Sequence, residues 1–274
     1  MEIMQGKTSI YHRILNEICQ EEGIKLDWLS SDWLAVMQLD GQRRQVLGYG
    51  KFDLNSAAAS MAADDKYVTF ELLAQSNIPV VEYAILYEFT NHYPYVEGRN
   101  TMEYVTKFFE QHNQHIVVKP NIGQCGTGIS QVTNMDQIPT ALEEAFHQGM
   151  AVALCPFYEI EHEYRVVMLD DEARLIYQKN RHGDWRFNLS KGATVSQVND
   201  ETFLYKLIAL AQAATEAMGL RFCSVDIIKT TDNQLLVIEV NSGVAIIHYL
   251  EQFPGDYAKV KAIYRDAIHA MFVK

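Results

Sequence analysis

The sequence predicts an α+β protein built in several lobes, and three observations carry that reading. Helix-like and strand-like segments alternate along the chain. In the second half the strand-like segments come as adjacent pairs around short turns, so the sheet there is expected to be mainly antiparallel. No repeat, low-complexity tract or long linker interrupts the 274 residues, a length that suits one large or two to three modest lobes.

Residues 10–19 place apolar side chains at helical spacing, with Gly23 as a stop. A short strand over 24–29 follows, then a strand–turn–strand about Asp40-Gly41. Residues 64–76 read as a helix ended by Asn77-Ile78-Pro79, because the residue before a proline is pushed out of the helical region. A helix over 102–111 precedes a β-rich strand over 116–119 that ends in Pro120. Residues 136–148 read as a helix and 151–155 as a buried strand. Strands over 164–169 and 173–179 flank the Asp170-Asp171 turn. Residues 201–218 form a long apolar helix with Gly219 at its C-cap. Two more strands, 223–229 and 235–240, flank Asp232-Asn233.

Composition narrows the function. Hydrophobic residues make up 48% and charged residues 21%, an ordinary globular balance. No apolar run approaches the ~20 residues that span a bilayer, and the first residues lack the layout of a signal peptide. Cys19, Cys125, Cys155 and Cys223 show no paired spacing, which argues for reduced thiols in a cytoplasm rather than a disulfide or metal framework. A formal net charge of −12 disfavours nucleic acid as a partner, because nothing offsets phosphate repulsion over the surface.

Two segments carry chemistry. The first is FCSVDIIKTTDNQLLVIEVNSG, residues 222–243. A turn centred between Asp232 and Asn233 places Asp226 opposite Glu239, and facing residues share one side of a sheet. Asn241, two residues on, shares that side. Two carboxylates set among Val225, Ile227, Ile238 and Val240 repel unless a cation binds or one is protonated. An Asp/Glu/Asn oxygen set suits magnesium; the bland alternative is a solvated sheet face. The second segment is IVVKPNIGQCGTGIS, residues 116–130, where a strand ending in Lys119 runs into Gly123, Gly126 and Gly128. Such a loop brings backbone N–H groups to phosphate oxygens, although a plain flexible turn has the same composition. It lacks the Gly-Lys-Ser/Thr ending of a P-loop, and its glycines are spaced the wrong way for a dinucleotide fingerprint. Cys125 reads as a small filler.

Together with LGYGKFDLNSAAASMAADDKYVTFELLAQSNIPV and EYRVVMLDDEARLIYQKNRHGDWRFNLSKGA, which occur in the same order, these segments resemble the ATP-grasp superfamily over residues 48–243. The resemblance is nearest to the glutamate ligases of ribosomal protein tails and to the ATP-grasp region of cyanophycin synthetase. It implies two α/β lobes gripping ATP: an abbreviated N-terminal region (1–62), a small lobe with the glycine loop (63–150) and a large lobe with the metal site (151–274). It also implies an ADP-forming carboxylate–amine ligase that works through an acyl phosphate. Magnesium, or manganese in its place, would be the metal, and a small-molecule or peptide carboxylate and an amine acceptor the substrates. Relatives of this kind are often homo-oligomers.

Carried across by position, Lys66 and Lys119 match the two nucleotide lysines. Gly123, Gly126 and Gly128 match the mobile phosphate loop. Phe157 and Tyr158 match the adenine hinge, and Glu163 the ribose acid. Arg165 and Lys179 match basic positions lining the phosphates, and Arg186 and Asn188 the pair beside the γ-phosphate. Asp226, Glu239 and Asn241 match the magnesium ligands. Outside the resemblance, Lys66 also reads as a surface lysine and Arg165 as a strand-face ion pair. His162, His182 and His248 read as ordinary polar residues. The hinge reads Cys-Pro-Phe-Tyr where relatives often have Gln-Glu. Pro156 has no N–H to donate, so adenine contacts are expected from its neighbours. A kinase on the same scaffold and a non-catalytic nucleotide-binding regulator are the competing functions.

Overall fold

The structure, a computed structural model, describes residues 9–48, 50–123, 127–181, 183, 185, 187, 189 and 192–273. Helix α1 (Ile10–Glu21) is capped by Ser9, whose hydroxyl accepts from His12 N. Strands β1 (Lys25–Leu29), β2 (Leu34–Leu39), β3 (Gln42–Leu47) and β4 (Lys51–Phe52) form an antiparallel sheet in chain order. The expected turn sits between β2 and β3, where Asp40 (φ 49°) and Gly41 (φ 76°) take the left-handed conformation of a tight hairpin.

The helix expected over 64–76 is α3 (Lys66–Gln75), and a second helix that was not expected, α2 (Ala57–Asp64), precedes it. Asp65 breaks them: its backbone is extended, and its carboxylate accepts from Val68 N at 2.9 Å to cap α3. Helix α2 left no sequence signal, because its run of alanines and serines has no apolar period. A middle sheet follows from β5 (Ala84–Tyr87), β6 (Ile116–Pro120), β7 (Ser130–Val132) and β8 (Ala151–Pro156), in the order β5-β8-β6-β7. Helices α4 (Met102–Gln111) and α5 (Ile138–Phe146) share its core. The boundary drawn at 150 falls just before β8, which pairs with β5 and β6.

The largest sheet holds β9 (Ile160–Leu169), β10 (Glu172–Asn180), β11 (Thr194–Ser196), β12 (Phe222–Thr230) and β13 (Leu235–Asn241), ordered β11-β10-β9-β12-β13. All its strand pairs are antiparallel, as the hairpins predict. One face packs against α2, α3 and α6 (Glu201–Met218). The other shares a core with the first sheet, α1, α7 (Ile247–Gln252) and α8 (Tyr257–Phe272). A smaller core, with Val81, Tyr83, Val117, Ala153, Cys155, Ile228 and Leu236, joins the middle sheet to the largest one. Among the described residues no helix is long and apolar enough to cross a membrane.

Candidate active site

The largest sheet lines up five charged side chains on adjacent strands. Asp226 on β12 faces Arg165 on β9 and Glu239 on β13, while Lys179 on β10 faces Glu163 on β9. Facing residues point the same way, so all five share one side of the sheet. The Asp226–Glu239 pairing is the one read from the sequence, but the turn alone does not produce it. Near the turn Ile227 pairs with Val237 and Ile228 with Leu236. A bulge at Ile238 adds one residue to β13 and brings Glu239, rather than Ile238, opposite Asp226.

Of the two reliefs expected for the carboxylate pair, a cation or a proton, the structure shows cations at Asp226, and they come from the protein itself. Arg165 grips Asp226 with two bonds, Nε to Oδ1 at 2.7 Å and Nη2 to Oδ2 at 2.6 Å, and Lys179 Nζ lies 3.1 Å from Oδ2. Lys179 also donates to Glu163 Oε1 at 2.5 Å. The counterion of Asp226 is therefore already present in the protein. Burial pushes the Asp226 carboxyl up, but Arg165 and Lys179 outweigh it and hold the pKa down at about 2. Burial raises the Glu163 carboxyl above the ordinary carboxylate value. Lys179 is raised despite its burial and the nearby Arg165, because Asp226 and Glu163 both favour its charge.

The fit to magnesium follows from what remains uncommitted. A carboxylate offers about four lone-pair sites, and the three donors to Asp226 leave one direction at Oδ1. Glu239 is half-buried, and its carboxylate has no hydrogen-bond or ion-pair partner among the described residues. Asn241 Nδ2 is buried and unpartnered, so that amide is not held by the fold. Among the described residues no group of three or more His, Cys, Asp or Glu is arranged to hold a metal. A magnesium here would thus combine Asp226, Glu239 and Asn241 with oxygens from phosphate or water, a set that the ion accepts.

Lys66 and Lys119 lie where the middle sheet meets the glycine loop. Lys66, at the start of α3, is buried, and its Nζ donates to the carbonyls of Asn121 (3.4 Å) and Gly123 (3.3 Å). Asn121 ties α3 to the loop through a second contact, its Oδ1 accepting from Tyr67 N at 3.1 Å. Lys119, on β6, is 7% exposed and donates to Tyr83 Oη at 2.6 Å. Burial lowers its pKa. Gly128 has φ 67°, and a Cβ there would meet Glu144 O and Pro120 Cγ at 3.2 Å, so a larger residue fits poorly.

At the hinge, Phe157 N donates to His115 O at 3.0 Å, and the two rings stack with centroids 4.0 Å apart. With Pro156 lacking an N–H, Tyr158 N–H is left without a hydrogen-bond partner among the described residues. The Tyr158 hydroxyl accepts from Glu82 N at 3.1 Å. His162 lies by Gln178, and His248 pairs with Glu251, so both behave as ordinary polar residues. Gly126, Arg186 and Asn188, with Cys125 and His182, lie outside the described residues. Sequence reasoning missed Tyr83, Asn121 and His115. Asn121 lies within the quoted loop motif, whereas nothing in spacing marks Tyr83 or His115.

The family described as RimK-like ATP-grasp domain matches residues 63–259. A probable alpha-L-glutamate ligase of Haemophilus influenzae is 26% identical over 239 residues, covering 82% of this chain and 72% of the relative. The alpha-aminoadipate–LysW ligase LysX of Saccharolobus solfataricus is 25% identical over 196 residues, 69% of this chain; the chain spans 64% of that relative's length. Among solved structures, D-alanyl-alanine synthetase A of Vibrio cholerae superposes with a TM-score of 0.69 at 14% identity, over 96% of this chain and 93% of that one. D-alanine–D-alanine ligase of Bacillus anthracis gives 0.60 at 16%, over 79% and 68%. With the family match covering well over half of its length, the chain belongs to the RimK-like ATP-grasp domain family.

Proposed function

We infer that the chain is an ATP-dependent carboxylate–amine ligase that forms an amide or peptide bond and releases ADP and phosphate. The observation that carries this reading is the row of Glu163, Lys179, Asp226, Arg165 and Glu239 on one side of the sheet, with Asn241 beside it. It concentrates three carboxylates, two cations and uncommitted oxygens on one sheet surface. Such a surface does little covalent chemistry itself; it positions reactants and neutralises charge.

In this reading Lys66, Lys119 and the loop of Gly123, Gly126 and Gly128 grip the nucleotide phosphates, and Tyr158 N–H reads the adenine edge beside Phe157. Lys179 occupies Glu163 Oε1, which leaves the other carboxylate oxygen for a ribose hydroxyl. Arg165 keeps its Nη1 donors uncommitted among the described residues for a phosphate oxygen. Magnesium, when bound, supplies charge neutralisation at phosphate oxygens. Arg186 and Asn188 act on the carboxylate substrate as it is activated to an acyl phosphate, and the loop keeps water from that mixed anhydride. The buried thiols Cys19, Cys155 and Cys223 suit a reducing cytoplasm.

The test is ADP release screened over amino-acid and peptide pairs, with mass spectrometry of the product. A ligase releases phosphate only when an amine is present and yields a mass equal to the two substrates less water. A phosphorylated product with no free phosphate would make the chain a kinase. No nucleotide turnover with any pair would favour the regulator.

A further inference from the structure

Lys119 is held by a residue that no motif marks. Tyr83 Oη is the one hydrogen-bond acceptor that Lys119 has among the described residues, at 2.6 Å, and the ammonium lies 4.5 Å from the centroid of the same ring. Tyr83 in turn donates to Ile238 O at 3.1 Å. A phenol has a single proton. Given to Ile238, that proton leaves the oxygen lone pairs turned toward Lys119, so the direction of both bonds is set. Tyr83 is 3% exposed, and burial lifts its pKa well above the ordinary value, which keeps the phenol neutral.

The two partners of Tyr83 belong to different sheets. Lys119 is on β6 of the middle sheet. Ile238 is the bulged residue of β13, adjacent to Glu239. The chain leading to Tyr83 is clipped to the same strand: Val81 N donates to Val237 O, and Val237 N donates to Pro79 O, both at 2.9 Å. Tyr83 therefore stands on a segment whose position follows β13 while its oxygen fixes a side chain on β6.

We propose that Tyr83 is a positioning residue that aims Lys119 at the nucleotide phosphates and ties that lysine to the strand carrying Glu239. The proposal rests on the nucleotide reading of Lys119 given above. Its physical content is that an ammonium on a four-carbon stem has several rotamers, and a buried acceptor with its own fixed bond selects one. The ring face stabilises the charge in that place, and the remaining ammonium donors are left for the ligand.

Four proteins test it: the wild type, Tyr83→Phe, Lys119→Met and the double variant. Each is titrated with MgATP by calorimetry, with unfolding midpoints recorded without nucleotide to establish that all four fold. Tyr83→Phe keeps the ring and removes only the oxygen. It should weaken MgATP binding on the order of tenfold, the scale of one lost hydrogen bond to a charged group. In the Lys119→Met background the same change should cost nothing further, because the side chain through which Tyr83 acts is gone. In turnover, Tyr83→Phe should raise the KM for MgATP and leave kcat at saturation within about twofold. Wild-type affinity in Tyr83→Phe, or an equal loss in both backgrounds, overturns the proposal while the nucleotide site stands. No MgATP binding by the wild type, or unchanged binding in Lys119→Met, overturns the nucleotide reading of Lys119 and the Tyr83 proposal with it.

Discussion

At the scale of residues, the site is a set of charges that solve one another's desolvation. Asp226 is 3% exposed, yet it is stable as an anion because Arg165 and Lys179 surround it. Its pKa falls from an ordinary 3.8 to about 2, so folding favours the ionised form. Its contribution is therefore complete above pH 3.8 and lost as pH falls through 2, an amount of roughly 2 kcal/mol. The raised carboxyl of Glu163 works in the opposite sense, favouring the fold at low pH. Asp226→Asn should flatten the pH 2–4 part of the stability profile. At neutral pH it should cost about 3–5 kcal/mol, since Arg165 loses its counterion and Lys179 keeps only Glu163; urea unfolding across pH measures both, and an unchanged profile would mean that the pair does not form. Arg186→Lys is expected to keep MgATP binding and lower turnover by on the order of a hundredfold, the cost of one oxyanion donor. Parallel calorimetry and product assays check it. Equal loss of both would reduce Arg186 to a nucleotide anchor.

At the scale of elements, two local devices set the geometry. One is the bulge at Ile238, which sets the Asp226–Glu239 pair and presents the carbonyl that Tyr83 reads. The other is Gly50, at the turn into β4. It has φ 109°, and its carbonyl accepts from Val244 N at 3.0 Å. A Cβ there would fall inside the Val244 backbone, just after the proposed metal strand. Gly50→Ala should therefore cost more than about 2 kcal/mol, combining left-handed strain with a backbone clash. Gly149→Ala, in open space, should cost far less. Denaturant midpoints of the two variants make the comparison, and equal effects would mean that the Gly50 contact is dispensable. The strong elements were legible in the sequence because each carried its own period or turn pair: α6 runs over the expected 201–218, and the β9–β10 and β12–β13 hairpins surround their expected turns. The strands β5, β7 and β11 were not, because three or four residues at a sheet edge carry too little pattern. The helices α7 and α8 lie beyond the last motif and were not read at all.

At the scale of the whole molecule, the first sheet and the last helix are part of the largest sheet's support. Phe52 on β4 packs on Tyr264 of α8, with centroids 5.8 Å apart, and edge-on to Phe222 of β12 at 5.1 Å. Tyr11 of α1 meets Tyr264 at 5.5 Å. A chain lacking residues 1–55 keeps the family match from 63 onward but uncovers this core. It should lose its cooperative thermal transition, as followed by circular dichroism. A melt like that of the full chain would make the first sheet an independent appendage. The sequence by itself determined the candidate segments, their order along the chain, and the hairpin that joins the strands of Asp226 and Glu239. It could do so because hairpins and glycine loops are local, and local pattern is what a sequence displays. Only the tertiary structure decided that Arg165 and Lys179 neutralise Asp226, that His115 consumes the Phe157 amide, and that Tyr83 holds Lys119. Those contacts join strands and loops separated by 36 to 61 residues. They form because burial leaves each charged or polar group needing a partner, and packing, not periodicity, chooses which one it meets.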